Sequence, residues 1–260
     1  MTQSPPSSKK NLLSSLPVAF LAALQFLTIF PLIILRSFTE KELGRATIFF
    51  PLIGLLLGAI LAATAWLLAK LFPPLVWAVL TLTVWILLTG ALHLDGFLDT
   101  CDGLFGGYTP ESRLEIMRDE RLGAYAFACG ALLLLLKFAA LASLHNPAAA
   151  LLLAPTLGRW TMAWAITAFP YARSSGIGHT MKDHSNWSLA GAATLFTVAA
   201  GWLIAGWWGL GAMASVALTT WAGARFALRR VPGLTGDIYG ALNEIAEAVI
   251  LLIFVVRQAL

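Results

Sequence analysis

The sequence predicts an all-α polytopic integral membrane protein, a helical bundle of about seven transmembrane helices with an N-terminal interfacial or re-entrant segment. Hydrophobic residues make up 59% of the 260 residues and charged residues only 12%, whereas about a quarter of an ordinary soluble domain is charged. The mean hydropathy is +0.81. Apolar runs of about 20 residues recur along the chain, and each could cross a hydrocarbon core about 30 Å thick. The runs are continuous rather than alternating, which favours helices.

The predicted elements follow one another in a simple order. Residues 1–15 are rich in Ser, Pro and Lys and are predicted to be a flexible tail, and residues 16–260 are predicted to form a single membrane-embedded domain. The first apolar segment, 16–35, is bracketed by Pro17 and Pro31, so it either spans the membrane or lies in its interface. Seven spanning helices are then predicted at 46–69, 75–94, 123–144, 148–169, 188–206, 209–227 and 238–256.

The distribution of Lys and Arg predicts the orientation of these helices, because cytoplasmic loops carry an excess of both. If segment 16–35 does not cross, thirteen of the 17 basic residues lie on one side, and Lys70 and Arg257 lie on the other. The thirteen are Lys9, Lys10, Arg36, Lys41, Arg45, Arg113, Arg118, Arg121, Arg173, Lys182, Arg225, Arg229 and Arg230. We therefore predict an inner (cytoplasmic) membrane protein with its polar loops in the cytoplasm. The mild positive net charge needs no nucleic-acid partner, and none is predicted.

The stretch "LHLDGFLDTCDG" places three like charges at the edge of highly apolar sequence. Asp95, Asp99 and Asp102 stand at i, i+4 and i+7, so they share one face if the 75–94 helix continues into this stretch; alternatively, its glycines break the helix. Clustered carboxylates without a pair of Cys or His residues suit a hard ion such as Mg²⁺, Mn²⁺ or Ca²⁺. The alternative is a solvated acidic helix end, although acids at a membrane boundary are costly without partners.

A second acidic group lies in the final predicted helix. Asp237, Glu244 and Glu247 follow the spacing i, i+7, i+10 and so share a face. On the predicted orientation both acidic groups lie on the same side of the membrane and could meet across a pocket. A charge favoured by the helix dipole would explain Asp237 at the helix start, but it would not explain Glu247, which lies well inside apolar sequence.

The sequence "TPE" predicts the start of a short cytoplasmic helix over 110–121, because it offers an N-cap hydroxyl, a proline in the first turn and an acid against the dipole. One face of this helix would carry Glu115, Arg118, Asp119 and Leu122. That face is either a solvated surface of ion pairs, or it turns Arg118 and Asp119 toward the metal pocket.

The loop at 171–187 is a candidate phosphate cradle. It contains two glycines, which let the backbone approach an anion, and two cations, Arg173 and Lys182, which would neutralise it. The alternative is an ordinary connecting loop. His93 lies next to the aspartate motif and either tunes it or simply sits at the interface.

Two basic residues fall inside predicted spans. Arg159 lies near the middle of 148–169, where the preceding proline and glycine could open the helix, and an intramembrane Arg is a candidate functional residue. Lys137 either extends its charge to the interface or pairs with a buried acid. Cys101 and Cys129 form no C-x-x-C motif and are predicted to be free thiols.

Together, metal-binding acids, cationic phosphate contacts and a membrane-facing pocket indicate phosphoryl transfer with a diphosphate substrate. In such reactions an ion neutralises phosphate oxygens, while the protein mainly positions the reactants. A carboxylate that the metal does not use can accept the proton of an attacking hydroxyl.

The successive motifs "FLTIFPL", "FFPLIGLLLGAI", "TGALHLDGFLDTCDGLFGG", "RLEIMRDERLGAYA" and "TGDIYGALNEIAE" resemble the cobalamin synthase family, the adenosylcobinamide-GDP ribazoletransferases. The resemblance covers most of the chain in order. It implies a multi-pass inner-membrane enzyme that uses Mg²⁺, with Mn²⁺ as a substitute. Such an enzyme joins adenosylcobinamide-GDP to α-ribazole or its 5′-phosphate, and it releases GMP while forming adenosylcobalamin or its phosphate.

The resemblance also implies roles for particular residues. The aspartates Asp95, Asp99 and Asp102 would hold Mg²⁺ on the diphosphate. Further candidates are Asp237 and Glu247 for metal binding, Asp119 and Glu244 for catalysis, and Arg118, Arg159, Arg173, Lys182 and His93 for substrate binding. Implied partners are the corrinoid nucleotide, α-ribazole and the lipid bilayer, with a homo-oligomer or a complex with other late cobalamin-pathway enzymes also open.

Two other classes remain as alternatives. A CDP-alcohol phosphotransferase also combines membrane helices with clustered aspartates, but its motif, D-x2-D-G-x2-A-R-x8-G-x3-D-x3-D, is not reproduced here. A cation-coupled transporter would place acids near the membrane midplane in repeat-related pairs. In this sequence the acids concentrate toward one face, and no convincing internal repeat is present.

Overall fold

The computed structural model describes residues 16–31 and 33–260, so the predicted tail at 1–15 lies outside the described residues. The described part is helical, and its only β contact is an isolated bridge between Tyr171 and Leu234. The helices in chain order are α1 (Leu16–Leu27), α2 (Glu40–Ala46), α3 (Phe50–Leu68), α4 (Pro74–Leu88), α5 (Leu92–Gly106), α6 (Pro110–Ile116), α7 (Ala124–Ser143), α8 (Ala148–Ala168), α9 (Ile177–His184), α10 (Trp187–Ala205), α11 (Trp207–Leu228) and α12 (Gly236–Ala259).

Six of the seven predicted spans each correspond to one long helix, whereas 75–94 contains most of α4 and the start of α5; the all-α class is confirmed. By length and composition, four helical stretches of the described chain can cross a membrane. They are Glu40–Leu68, which runs through α2 and α3, Ala124–Ser143, Trp187–Ala205 and Gly236–Ala259. The bent pair α4 and α5 makes a fifth if it counts as one span. Helices α8 and α11 are long enough but less apolar. The number of seven crossings therefore stays a prediction.

The N-terminal segment contains a helix too short to span. Helix α1 has 12 residues, a length of about 18 Å, against a hydrocarbon core of about 30 Å. The Gln25 side chain then holds the returning chain, because its amide oxygen accepts from the backbone N–H of Ile34 at 2.8 Å and its amide nitrogen donates to the carbonyl of Ile34 at 3.1 Å. This geometry favours the interfacial or re-entrant alternative.

The aspartate motif does not continue the preceding helix as expected. Helix α4 ends at Leu88 and α5 begins at Leu92, and their axes differ by 89°. The break is made by Gly90 and Ala91, both of which have positive φ values of 58° and 56°, a conformation that glycine adopts easily and alanine rarely. The glycines inside the motif leave α5 intact, so all three aspartates lie on one helix at right angles to α4.

The other local predictions are confirmed in part. Thr109 caps α6, accepting from Ser112 N–H, and Pro110 is its first residue. However, α6 ends at Ile116 rather than at 121, so the proposed charged face does not form. The predicted loop 171–187 contains the eight-residue helix α9.

Helix α8 lies at the centre of the bundle. Pro155 does not open it, and the helix is continuous from Ala148 to Ala168 with most of its residues buried. It packs against α3 and α12, and the crossing of these three helices separates two apolar clusters toward the two ends of the bundle. Both cysteines are free, as predicted.

Candidate active site

Asp237, the first acid of the second predicted group, meets the aspartate motif where α5 crosses α12. Two glycines allow the close approach of the helices at this crossing. A Cβ atom added at Gly96 would lie 2.9 Å from the carbonyl oxygen of Asp237, and one added at Gly240 would lie 3.1 Å from the carbonyl oxygen of His93. The crossing therefore brings Asp95, one residue before Gly96, next to the first turn of α12.

The carboxylates of Asp95, Asp99 and Asp237 lie close enough to interact electrostatically with one another. In the described part of the chain, the carboxylates of Asp95 and Asp99 accept no hydrogen bond, and Asp95 is exposed. Like charges repel at such separations unless a cation joins them. The carboxylates of Asp95 and Asp99 are thus both available to bind a cation, because no hydrogen bond from the described chain would have to be broken first.

Asp102, on the same helix, has a different environment. Its two carboxylate oxygens accept the backbone N–H groups of Gly123 at 2.6 Å and Ala126 at 2.8 Å. These groups belong to the start of α7, where N–H groups have no partner within the helix. Asp102 therefore caps α7 across the structure, and its predicted role as a metal ligand stays a prediction.

Arg173 connects the loop before α9 to the start of α12. Its guanidinium donates to the Asp237 carboxylate at 2.7 Å, and Thr235 donates to the same oxygen at 3.1 Å. The adjoining chains are held by backbone hydrogen bonds from Ala172 to Leu234 and from Leu234 to Pro170, each 2.8 Å long. This ladder keeps the cation of Arg173 beside the acidic corner.

A cavity of about 290 Å³ opens at this point. The side chains and backbone that line it come from α1, α5, α8, the loop before α9, α9 and α12. The polar groups among them include His93, Asp95, Arg173, Ser175, Asp237 and Tyr239. The amino end of α9 also lies on this cavity, at Gly176 and Ile177, and a helix amino end offers N–H groups and a favourable dipole to an anion.

Lys182, the second predicted phosphate contact, lies on α9 and has a protein partner. Its ammonium donates to the carbonyl of Thr167 in the last turn of α8 at 2.9 Å, a position where a cation complements the helix dipole. Burial lowers the pKa of Lys182 below its usual value, and Asp183 opposes that shift. Its predicted role in substrate binding stays a prediction.

Glu244 and Glu247 do not join the aspartates but form a buried ion-pair cluster deeper in the bundle. Lys137 donates to both carboxylates, and its distance to Glu247 is 2.6 Å. This is the predicted alternative in which Lys137 pairs with a buried acid. Arg159, which has no exposed surface, pairs with the other oxygen of Glu247. Asn243 also donates to that oxygen at 3.1 Å. All oxygens of Glu247 therefore have partners, and the cluster is neutral overall.

His93 joins this cluster to the cavity. Its Nδ1 lies 3.3 Å from an Nη2 nitrogen of Arg159, while its ring also lies among the residues that line the cavity. Arg159, which was predicted to contact substrate, thus contacts His93 and Glu247. His93, rather than Arg159, is among the residues that line the cavity.

The remaining predicted residues lie after α6. Asp119 forms an exposed ion pair with Arg121 at 2.5 Å, and hydrogen bonds from Arg121 lower the pKa of Asp119 to about 2. Arg118 lines a shallow surface groove that also includes Arg173 and Ser174. The structure places Arg118 near the cavity mouth, and it gives Asp119 a partner outside the cavity; the roles of both stay predictions.

The donor set suits a hard divalent ion that binds together with substrate. Among residues 16–31 and 33–260, no group of three His, Cys, Asp or Glu side chains is arranged to hold a metal on its own. Mg²⁺ is commonly held by one or two carboxylates plus substrate phosphates and water rather than by a complete protein cage. The unpartnered carboxylates of Asp95 and Asp99 fit that mode of binding.

Two tyrosines of the site were not predicted from the sequence. Tyr239 and Tyr171 stack with ring centroids 6.1 Å apart, and both line the cavity. The available signal was the position of Tyr239 two residues after Asp237, in a motif that also carries Gly240. Without the crossing geometry, an aromatic residue in an apolar helix is indistinguishable from an ordinary core residue.

Comparison with known proteins agrees with the motifs. The family model described as cobalamin-5-phosphate synthase matches residues 19–255. A protein of Desulforamulus reducens named adenosylcobinamide-GDP ribazoletransferase is 39% identical over 239 residues, covering 91% of this chain and 95% of its own length. A protein of the same name from Roseiflexus is 40% identical, covering 88% and 86% of the two chains. One from Pseudomonas syringae is 39% identical, covering 90% and 97%. No solved structure matches the chain.

Proposed function

This chain belongs to the cobalamin-5-phosphate synthase family, whose members transfer phosphate-containing groups, and from that membership we propose its particular reaction. The enzyme transfers the adenosylcobinamide-phosphate group of adenosylcobinamide-GDP to α-ribazole or its 5′-phosphate. The products are GMP and adenosylcobalamin or its 5′-phosphate. The CDP-alcohol phosphotransferase and transporter alternatives have no support from the comparisons.

The observation that carries this proposal is the crossing of α5 and α12. It brings Asp95, Asp237 and Arg173 together at a single cavity, and Asp99 lies close enough to interact electrostatically with all three. A diphosphate needs both kinds of charge nearby, because carboxylates recruit a divalent ion and a guanidinium pairs directly with phosphate oxygens.

In this proposal Asp95 and Asp99 hold Mg²⁺, with Mn²⁺ as a substitute, and Asp237 is the neighbouring carboxylate. When bound, the ion would neutralise charge on the diphosphate and favour departure of GMP. These carboxylates are suited to the task because no protein donor occupies the oxygens of Asp95 and Asp99.

The protein's own groups would position the reactants. Arg173 and the amino end of α9 bind phosphate oxygens, which leaves the phosphorus on the cobinamide side open to attack by a ribose hydroxyl of α-ribazole. The new bond forms between that hydroxyl oxygen and this phosphorus, the bond to the bridging oxygen breaks, and GMP leaves with the bridging oxygen. A site carboxylate that is not used by the metal accepts the hydroxyl proton.

The site faces the cytoplasm in this proposal. The loops that carry most of the basic residues lie at the same end of the bundle as the cavity, which agrees with the bias of cytoplasmic loops. GMP and the nucleotide substrate are soluble compounds, and this end would give them access from water.

The test uses membranes that contain the expressed chain, supplied with adenosylcobinamide-GDP and α-ribazole with and without Mg²⁺. We expect metal-dependent formation of GMP and a cobalamin in equal amounts. Cobalamin formation at the same rate in metal-free buffer would contradict the metal part of the proposal, and the absence of GMP release under all conditions would contradict the reaction itself. Replacing α-ribazole by its 5′-phosphate identifies the preferred acceptor.

A further inference from the structure

Two polar groups at the cavity have no function in the scheme above. The hydroxyl of Tyr239 and the Nε2 of His93 are buried, in side chains only 2% and 1% exposed, and neither atom has a hydrogen-bond partner within the part of the chain that the structure describes. Both side chains line the cavity. A buried polar group without a partner costs free energy, so such groups call for a specific explanation.

The hydrogen-bond role of His93 follows from its neighbour. Its Nδ1 faces Nη2 of Arg159 at 3.3 Å, and a guanidinium can donate but never accept a hydrogen bond. Nδ1 is therefore the acceptor, and the ring hydrogen of neutral His93 lies on Nε2. Glu247 pairs with the same guanidinium, so the ion-pair cluster fixes the tautomer and leaves a buried N–H donor without a partner in the described chain, on a side chain that lines the cavity.

Tyr239 is held equally firmly. Its ring stacks on Tyr171 with an interplanar angle of 25°, and the next residue, Gly240, contacts the backbone of His93. The two unpartnered donors therefore come from helices that touch at the crossing, on the wall that also carries Asp95 and Asp237.

We propose that the Tyr239 hydroxyl and the His93 Nε2–H donate hydrogen bonds to non-bridging phosphate oxygens of the bound diphosphate. In this assignment Tyr239 and His93 are catalytic residues that touch substrate, and Arg159 and Glu247 are positioning residues that act through His93. The inference rests on the proposed function, since it names contacts to that same substrate. An oxygen acceptor carrying charge gains most from such preorganised donors.

The main experiment removes only the hydroxyl, with Tyr239→Phe. The ring and its stack on Tyr171 remain, so kcat/KM for adenosylcobinamide-GDP should fall about 10- to 100-fold, as expected for a lost hydrogen bond to a charged group. The KM for α-ribazole should stay unchanged. Because the hydroxyl has no protein partner, the unfolding temperature in detergent should be unchanged or slightly raised. The matched control is Tyr125→Phe, whose ring contacts Phe105 outside the cavity and which should behave as wild type.

A second pair of variants tests the donor on His93. The amide N–H of a glutamine can take the place of Nε2–H, so His93→Gln should retain more kcat/KM than His93→Phe by about 10-fold. Equal activities of the two would mean that the donor has no role.

The outcomes separate this inference from the proposed function. If wild type releases GMP but Tyr239→Phe keeps full kcat/KM, the inference is wrong and the proposed function stands. A drop in unfolding temperature of several degrees in Tyr239→Phe would also overturn it, because the hydroxyl would then have a structural partner. If Tyr239→Phe raised only the KM for α-ribazole, the hydroxyl would contact α-ribazole rather than the diphosphate, and the inference would be wrong. Wild type that releases no GMP from adenosylcobinamide-GDP overturns the proposed function, and with it the assignment of both donors to that diphosphate.

Discussion

At the scale of single residues, the three aspartates of one motif have three different environments. Asp95 is exposed beside the cavity, Asp99 is half-buried without a hydrogen-bond donor, and both oxygens of Asp102 are engaged with the start of α7. Their helical spacing on one face of α5 conceals this difference. Substitutions should therefore separate an effect on chemistry from an effect on folding.

For Asp99→Asn we expect metal-dependent turnover to fall about 100-fold or more, because an amide is a poor ligand for Mg²⁺ and the substitution removes one negative charge from the ion site. The protein should stay in the membrane with an unchanged unfolding temperature, since the Asp99 carboxylate accepts no hydrogen bond from the described chain. GMP release measures the first effect and a thermal melt in detergent the second. The control is Glu120→Gln, an exposed acid outside the cavity. Full turnover in Asp99→Asn would remove this residue from the metal site.

Asp102→Ala should instead lower stability. It removes the acceptors for Gly123 and Ala126, and loss of a helix cap costs about 0.5–2 kcal/mol. The measurement is the unfolding temperature in detergent, compared with that of Asp99→Asn. A variant as stable as wild type would show that the cap contributes nothing, and Asp102 would then be of interest only as a ligand.

The sequence was sufficient to place the acids on one helix face but not to distinguish their roles. Spacing is a property of the chain, whereas the partners of Asp102 and Glu247 come from other helices. The same limitation applies to Glu247, which lies between Lys137 and Arg159 and whose role as a metal ligand stays a prediction. Three turns into an apolar helix, an acid can face either a cation or a metal, and only the fold decides which.

At the scale of helices, the contact between α5 and α12 positions the site. Gly96→Ala should separate these helices, because the new methyl group would lie 2.9 Å from the backbone oxygen of Asp237. The backbone of a helix cannot move aside to relieve such a clash as a flexible side chain can. We expect a loss of about 1–3 kcal/mol of stability together with a fall in GMP release. Gly191→Ala is the matched control, since nothing lies within 4 Å of its Cβ, and alanine is the better helix former. Equal behaviour of the two variants would mean that the crossing tolerates a wider spacing.

The buried ion-pair cluster makes a second prediction at this scale. Lys137→Met leaves Glu244 and Glu247 facing each other without that cation, and breaking a buried ion pair from one side costs about 3–5 kcal/mol. Lys137→Met combined with Glu244→Gln restores a neutral cluster and should recover part of this loss. The measurement is the folded fraction that survives heating in detergent, followed by size-exclusion chromatography. A double variant less stable than Lys137→Met would contradict this account of charge balance.

Hydropathy predicted the long helices well, because the length and continuity of apolar runs are set by the membrane rather than by tertiary contacts. It failed at the turn between α4 and α5. The motif sequence is apolar on both sides of Gly90, and a left-handed conformation at Gly90 and Ala91 leaves no trace in hydropathy. That turn nevertheless decides the site, since it lays the acidic helix across α12 at 89° to α4.

At the scale of the whole molecule, the contacts define two ends of the bundle. One end carries the cavity, α2, α6 and α9; there α2 packs against α9, and Arg113 of α6 donates to the carbonyl of Arg230, just after α11. The other end brings the loop at His145 to Gln258, with a hydrogen bond of 2.9 Å. Lys70 and Arg257 lie at that second end, beside His145 and Asn146, and the basic residues expected in cytoplasmic loops that fall within the described chain lie at the first. Described loops that were predicted to share one side of the membrane therefore lie at the same end of the bundle.

This arrangement predicts which end a membrane-impermeant reagent reaches. In a background with Cys101 and Cys129 replaced by alanine, we expect His145→Cys to react with an impermeant maleimide in intact spheroplasts, because excess Lys and Arg hold the opposite end in the cytoplasm. Glu120→Cys, at the cavity end, should react only after the membrane is permeabilised. Both positions are exposed, so equal labelling after permeabilisation provides the control for accessibility. Labelling of Glu120→Cys in intact spheroplasts would place the cavity outside the cytoplasm, where a nucleotide substrate made inside the cell could not reach it, and the proposed orientation would then be wrong.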